Sequence, residues 1–156
     1  MPLTFLLASK LSRDYPDFQF QESSEFRWSP TTKTIFYEAS NDTASLLHEL
    51  AHALLGHTSY TRDIELLEIE RDAWHHTTNV LAPHYNTPID ENTPEDAMDT
   101  YRDWMHTRSI CPNCKATGLQ IRKSTYKCVA CHAQWRVNDA RICALRRYIL
   151  NKKHTL

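Results

Sequence analysis

The chain has 156 residues, with 18 basic and 19 acidic side chains, nine His, five Cys, seven Pro and two Gly; 41% of it is hydrophobic and 24% charged. That length accommodates one domain of ordinary size or a small domain with an appendage, and the composition excludes a disordered, collagen-like or fibrous chain. The net charge of −1 conceals a division: residues 1–107 carry seven basic against 18 acidic residues, net −11, whereas 108–156 carry eleven basic residues against Asp139 alone, net +10. A boundary near Arg108 follows, with an acidic domain at 1–107 and a basic one at 108–156.

In chain order, Leu3, Leu6, Leu7 and Leu11 recur at three- and four-residue spacings, which predicts a short amphipathic helix ended by Tyr15-Pro16. The apolar run Leu3–Ala8 is far shorter than the roughly 20 residues of a membrane span and has no basic residue before it, so a cytoplasmic protein without a membrane partner is expected. Phe18 and Phe20, Phe26 and Trp28, and the β-branched and aromatic stretch Thr34–Glu38 read as strands, with a turn at Ser29-Pro30-Thr31-Thr32. A small antiparallel sheet is the expectation. Asn41 or Asp42 caps a helix over Thr43–Leu55, closed by Gly56; a longer helix is predicted from Arg62 to Leu81, ended by Pro83, and another from Thr93-Pro94 to about His106. Gly118–Lys127 alternates as a hairpin, and Asn138-Asp139 precedes a predicted terminal helix carrying Ile142, Leu145 and Ile149. The fold class is therefore α+β: a mostly helical front domain with a small sheet, then a ribbon and a terminal helix.

The chemistry of the front domain lies in His48-Glu49-Leu50-Ala51-His52. Residues four apart on a helix lie about 40° apart and one turn up, so two imidazoles can hold one zinc ion. Glu49 stands about 100° round from His48, out of the first coordination sphere but within reach of a water there, the place of a general base in peptide or amide hydrolysis. The surrounding Leu46, Leu47, Leu50, Ala51, Ala53 and Leu54 make the helix apolar on most sides, and two His and a Glu inside it need partners.

A catalytic zinc needs a third protein ligand and an open fourth position. His57 would lie about 140° from His52 if the helix continued, so it reaches the ion only if the chain turns sharply at Gly56. The other source is the next helix, where Glu65, Glu68, Glu70 and Asp72 are dense and a Glu near Ala73 could face the first helix past a small side chain. Asp72, His75, His76 and Tyr60 are candidates for orienting ligands or stabilising an oxyanion.

The string from His48 to His57, followed by Glu70-Arg71-Asp72-Ala73-Trp74 and closing at Leu81-Ala82-Pro83, resembles the ImmA/IrrE-type zinc metallopeptidases over about 40 of the 156 residues. The resemblance implies a zincin-like catalytic domain, Glu70 as the third zinc ligand beside His48 and His52, Glu49 as the catalytic base, and a regulatory protein such as a repressor as substrate. The chain departs from the family pattern where His76-Thr77 stands in place of a Phe-Ala pair.

Cys111-Pro112-Asn113-Cys114 and Cys128-Val129-Ala130-Cys131, separated by 13 residues, predict a four-thiolate zinc ribbon with the hairpin between the pairs. No position is left for substrate, so this second zinc is structural and compensates for a small core. Cys143 reads as a small buried apolar residue. The ribbon and tail carry Lys115, Arg122, Lys123, Lys127, Arg136, Arg141, Arg146, Arg147, Lys152 and Lys153. Phosphate neutralisation by Arg122, Lys123, Arg146 and Arg147, with Tyr126 and Trp135 stacking on bases, is one reading; docking on the chain's own acidic half, with Trp135 packed under the ribbon, is the other. A helix with two His and a Glu followed by a four-Cys ribbon is also similar in layout to the SprT-like proteases associated with DNA. The combined expectation is a cytoplasmic zinc endopeptidase with a targeting ribbon; a non-catalytic nucleic-acid or protein binding module is the alternative.

Overall fold

A computed structural model of the chain describes residues 1–140 and 145–150. The fold is mixed α+β, and the chain divides into two compact units: residues 1–59 with 69–94, and residues 60–68 with 95–156. Neither unit is a continuous stretch of sequence.

In the first unit, helix α1 (Leu3–Asp14) is followed by strands β1 (Gln19–Glu22), β2 (Arg27–Ser29) and β3 (Thr34–Tyr37). The sheet order is β1-β3-β2, with β2 antiparallel and β1 parallel to β3. The sheet is thus mixed and not antiparallel: β1 passes over its neighbour in sequence and takes the far side of β3, which runs in its own direction. Phe20, Ile35 and Trp28 stand opposite one another across the three strands, and Ile35 is fully buried between them. The turn into β3 requires a left-handed residue, Lys33 at φ 51°. Buried Thr4 ties α1 to the chain beyond β3, donating to Glu38 O at 2.7 Å and accepting from Ser40 N–H at 2.9 Å.

Helix α2 (Thr43–Leu54) starts at Asp42, whose carboxylate accepts from Ser45 N–H at 3.0 Å, a side-chain cap for a donor that the helix itself leaves unpaired. Leu46, Leu47, Leu50 and Ala51 have no exposed surface, so α2 is the central element of the core, packed on α1, β2 and β3. Each buried Leu contributes about 1.5–3 kcal/mol. Helix α3 (Asp63–His76) runs on through a π-helical turn (Thr77–Leu81) into a short α4 (Ala82–His84), so Pro83 sits inside the helical run and does not end it. Proline cannot donate to the carbonyl four residues back and crowds it. The turn before it is widened accordingly, with Ala82 N–H bonded to Thr77 O five residues back.

The second unit contains the first residues of α3, nearly all of α5 (Asn92–Ser109) and an antiparallel sheet of β4 (Gly118–Arg122), β5 (Thr125–Cys128), β6 (Gln134–Val137) and β7 (Arg147–Ile149) in that order. Arg147–Ile149 was expected in a terminal helix and is instead a strand, with Tyr148 opposite Arg136 and Ile149 opposite Trp135. The β-branched and aromatic pair suits a strand and covers the otherwise open edge of β6. Leu145 and Arg146, just before the strand, are not helical either, and Arg141, Ile142, Cys143, Lys152 and Lys153 lie outside the described residues.

Arg108, where the charge pattern breaks, lies inside the second unit and not at its edge. Its guanidinium is only 3% exposed, 3.4 Å from Asp63, bonded to Asn138 O at 2.8 Å and stacked over the Trp104 ring. The Tyr126 hydroxyl donates to the same Asp63 carboxylate, and Gln120 exchanges bonds with Asp63 through its amide. Burial and the Asp63 charge together push the Tyr126 phenol well up. Trp135 lies beneath, stacked on Tyr126 at 5.7 Å and donating to Arg108 O at 3.1 Å. Gly118 allows this approach, since a Cβ there would stand 2.4 Å from the Trp135 ring. Asp63→Ala would leave the Arg108 charge buried and unpaired. It should lower the unfolding free energy of this unit by about 3–5 kcal/mol, read from urea unfolding followed by tryptophan fluorescence.

Candidate metal centre

The first site is built on α2 and on the part of α3 that belongs to the first unit. His48 and His52, one turn apart, turn their Nε2 atoms to within 3.0 Å of each other, and Glu70 meets both, with one oxygen 2.9 Å from His48 Nε2 and the other 3.3 Å from His52 Nε2. All three side chains are buried, at 6–7% exposure. Donors around a tetrahedral ion at about 2.0–2.1 Å stand about 3.3–3.4 Å apart, so three of the four corners of such an ion are marked out here.

Glu49 is the other carboxylate near this point. One of its oxygens and a ring nitrogen of each histidine lie within 4.8 Å of one another, and one oxygen accepts from Trp28 N–H of β2 at 2.7 Å. Glu70 is the closer of the two and touches both imidazoles, so it has the geometry of a ligand and Glu49 that of a neighbour. Burial pushes the Glu49 carboxyl up, with the charges of His48 and His52 and the Trp28 N–H pulling against it. For Glu70, burial acts upward too, but the bonds and charges of His48 and His52 outweigh it and hold the carboxyl well below the usual range. His52 is the reverse case: burial acts downward, and the Glu70 carboxylate wins and raises it.

The remaining sequence candidates separate. Glu68 is exposed, and Glu65 accepts from the backbone N–H groups of Thr61 and Arg62, as a carboxylate at a helix start does. Asp72 is exposed and pairs with Arg71, His75 is exposed, and His76 is half-buried. Tyr60 belongs to the second unit. His57 is brought in, but against the far side of a ligand: its Nδ1 lies 2.9 Å from His52 Nδ1. The chain does turn sharply at Gly56 (φ 70°), with Gly56 N–H on Ala53 O at 3.2 Å and His57 N–H on His52 O at 3.0 Å, the paired bonds of a Schellman end. Two aromatic residues were not singled out from sequence. Trp74 stacks on His48 at 4.2 Å; its place one turn beyond Glu70 put it on the same face of α3. Trp28 reaches the site from a strand, and nothing local marks it.

The four cysteines form the second group, in the second unit. Cys111 and Cys131 sulfurs are 3.7 Å apart and those of Cys114 and Cys128 3.4 Å, too far for disulfides and close to the roughly 3.8 Å between thiolates around one tetrahedral zinc-sized ion. The two knuckles match bond for bond. Cys111 and Cys128 donate to Ala116 O and Ala133 O, both at 2.8 Å, while Lys115 and His132 N–H return to Cys111 O and Cys128 O at 3.0 and 3.1 Å. Lys115 (φ 66°) and His132 (φ 62°) take the same left-handed place after each second cysteine. His132 therefore serves the turn. Asn113 Nδ2 and the backbone N–H of Ala133 hold the Cys131 thiol down to about 6, whereas against the pull of the Ala116 N–H the Cys128 sulfur and burial push the Cys114 thiol up to about 11.

Arg122, Lys123 and Arg146 are exposed, whereas Arg147 is half-buried and donates to Thr107 O. Tyr126 and Trp135 are buried against each other, so neither offers a ring to a base. The exposed aromatic of this sheet is Tyr148, with Arg136 stacked over it at 4.6 Å. No described helix is long and apolar enough to cross a membrane.

No family model, curated protein or solved structure matches the chain. The two donor groups thus stand on their geometry alone. The expected metal content is two ions per chain, one lost with His48→Ala and the other with Cys111→Ser, as measured by elemental analysis of the purified proteins after dialysis.

Proposed function

We propose that the chain is a zinc-dependent endopeptidase of the ImmA/IrrE kind, with a basic zinc ribbon that directs it to its substrate. The observation that carries this reading is the meeting of His48, His52 and Glu70 at one point, with the Glu49 carboxylate beside them. Three protein donors leave one tetrahedral position for a water or a carbonyl. When bound, zinc would supply Lewis acidity and bring the pKa of a water toward about 7. Glu49 takes a proton from the attacking water as its oxygen bonds to the scissile carbonyl carbon, and gives the proton to the leaving nitrogen as the C–N bond breaks. A carboxyl pushed up by burial suits that double duty, and the Trp28 N–H fixes its orientation. The resemblance to the family favours a regulatory protein such as a repressor as substrate. Thiols that must stay reduced to hold a metal fit the cytoplasm.

Glu49→Gln should reduce peptide cleavage by the zinc-loaded protein about 10²–10⁴-fold while leaving both ions bound, measured on a peptide library with parallel metal analysis. Equal cleavage by both proteins would remove Glu49 as base. No cleavage by the parent chain would favour the non-catalytic binding module.

A nucleic-acid partner for the ribbon has its own support. Trp104 to Asn138 contains no acidic residue, and Arg122, Lys123, Lys127 and Arg136 are all exposed on β4–β6 or the turn between β4 and β5. This layout also keeps the SprT-like, DNA-associated protease as a relative in function. Binding to single-stranded DNA should weaken linearly as log salt rises, and Arg122→Ala with Lys123→Ala should make that slope shallower by about 1–2. A flat salt response would exclude phosphate contact as the main term.

A further inference from the structure

We propose that His57 is a positioning residue for the metal, holding His52 in the one tautomer and ring orientation that offers Nε2 to the ion. This rests on His48, His52 and Glu70 being ligands of one metal.

A neutral imidazole carries a single N–H, and a ligating Nε2 must give up its own, so the proton of His52 resides on Nδ1. That N–H needs an acceptor inside the protein, and the atom 2.9 Å away is His57 Nδ1. His57 then accepts there and keeps its own proton on Nε2. Ligating histidines are ordinarily oriented in this manner by a carboxylate, a carbonyl or water; here another imidazole takes the part.

The backbone of His57 is held at three points. Its backbone N–H is bonded to His52 O at 3.0 Å, and its carbonyl accepts from the Trp28 indole at 2.9 Å. Gly56, in the left-handed region, reverses the chain so that His57 comes back over the last turn of α2. With both backbone groups fixed, the side chain meets His52 edge to face, ring centres 5.1 Å apart. A histidine that only finished the helix would need the backbone bonds but no particular ring direction. The other ligand is steered by different means: among the described residues His48 Nδ1 has no hydrogen-bond partner, and the ring lies flat on Trp74 instead. Among the described residues, His57 is thus the one side chain in hydrogen-bond contact with the outward nitrogen of either histidine.

The test is zinc affinity of the full chain by chelator competition, with the site in question defined as the one lost in His48→Ala. His57→Asn places a carbonyl oxygen as many bonds from the backbone as Nδ1, so it restores the acceptor; His57→Leu fills the space without one. His57→Leu and His57→Ala should weaken this site about 10–100-fold, His57→Asn should stay within a few-fold of the parent, and the four-Cys site should be unchanged in all. Long-range ¹H–¹⁵N spectra of the zinc-loaded parent and the H57N protein should show His52 protonated on Nδ1. Unchanged affinity in His57→Leu, or equal losses in His57→Asn and His57→Leu, would overturn the positioning role while leaving the metal site standing. A parent chain from which His48→Ala removes no zinc would overturn the site itself, and this proposal with it.

Discussion

A carboxylate buried against two imidazoles cannot rest without a positive charge at their meeting point. Glu70 is nearly inaccessible, and so are His48 and His52. In the absence of a metal the charge is a proton: the Glu70 carboxylate raises the pKa of His52 against the effect of burial, and the two imidazoles hold Glu70 low. A divalent cation at the same point would serve the same need with more charge and displace the proton, which would link metal affinity to pH there. Much of the first unit is arranged around that requirement. The apolar faces of α2 keep water away, the Schellman end returns His57 over His52, and the edge strand β2 presents Trp28, whose main-chain N–H holds Glu49 and whose indole holds His57.

The two metal groups solve opposite problems. Four cysteines close a coordination sphere from two matched knuckles, each with its left-handed residue and its pair of backbone bonds, and nothing in that arrangement admits a further ligand. Three potential donors on two helices would leave a corner open, with the Glu49 carboxylate alongside. Closed and open sites of this kind differ in what they need from the surrounding fold: the first needs turns, the second a buried and rigid platform.

How far the amino-acid string revealed this depended on the range of each interaction. Spacing four on a helix and spacing three in a knuckle are local, so His48, Glu49, His52 and the four cysteines were legible, as were most helix and strand positions and the start of α2, which the sequence left between Asn41 and Asp42 and the structure sets at Asp42. Glu70 came from a resemblance and not from periodicity, because several carboxylates crowd α3. The parallel placement of β1 was hidden, since strand pairing beyond a hairpin leaves little local trace. Trp28 was read as a strand residue, and its link to Glu49 spans 21 positions. The charge division near Arg108 and the compact units follow different lines: the second unit also takes in 60–68 and 95–107, and Asp63 pairs there with buried Arg108, a contact that charge along the chain does not register. The strand at Arg147–Ile149 reads as helix in sequence because Asn138-Asp139 has the composition of a cap; the Asn138 side chain instead accepts from Arg146 N–H.

The interleaving of the two units bears on how the protein is made. Tyr60–Glu68 is synthesised before any other part of the unit to which it belongs, while the unit around it in sequence can complete its core once Pro94 has emerged. Asp63 must therefore wait in water on the growing polypeptide until Arg108 and Tyr126 are translated. Its lone carboxylate, comfortable in solvent, can be drawn inside only when its counter-charge arrives, so the ribbon half is assembled last and by recruiting an older piece of the chain.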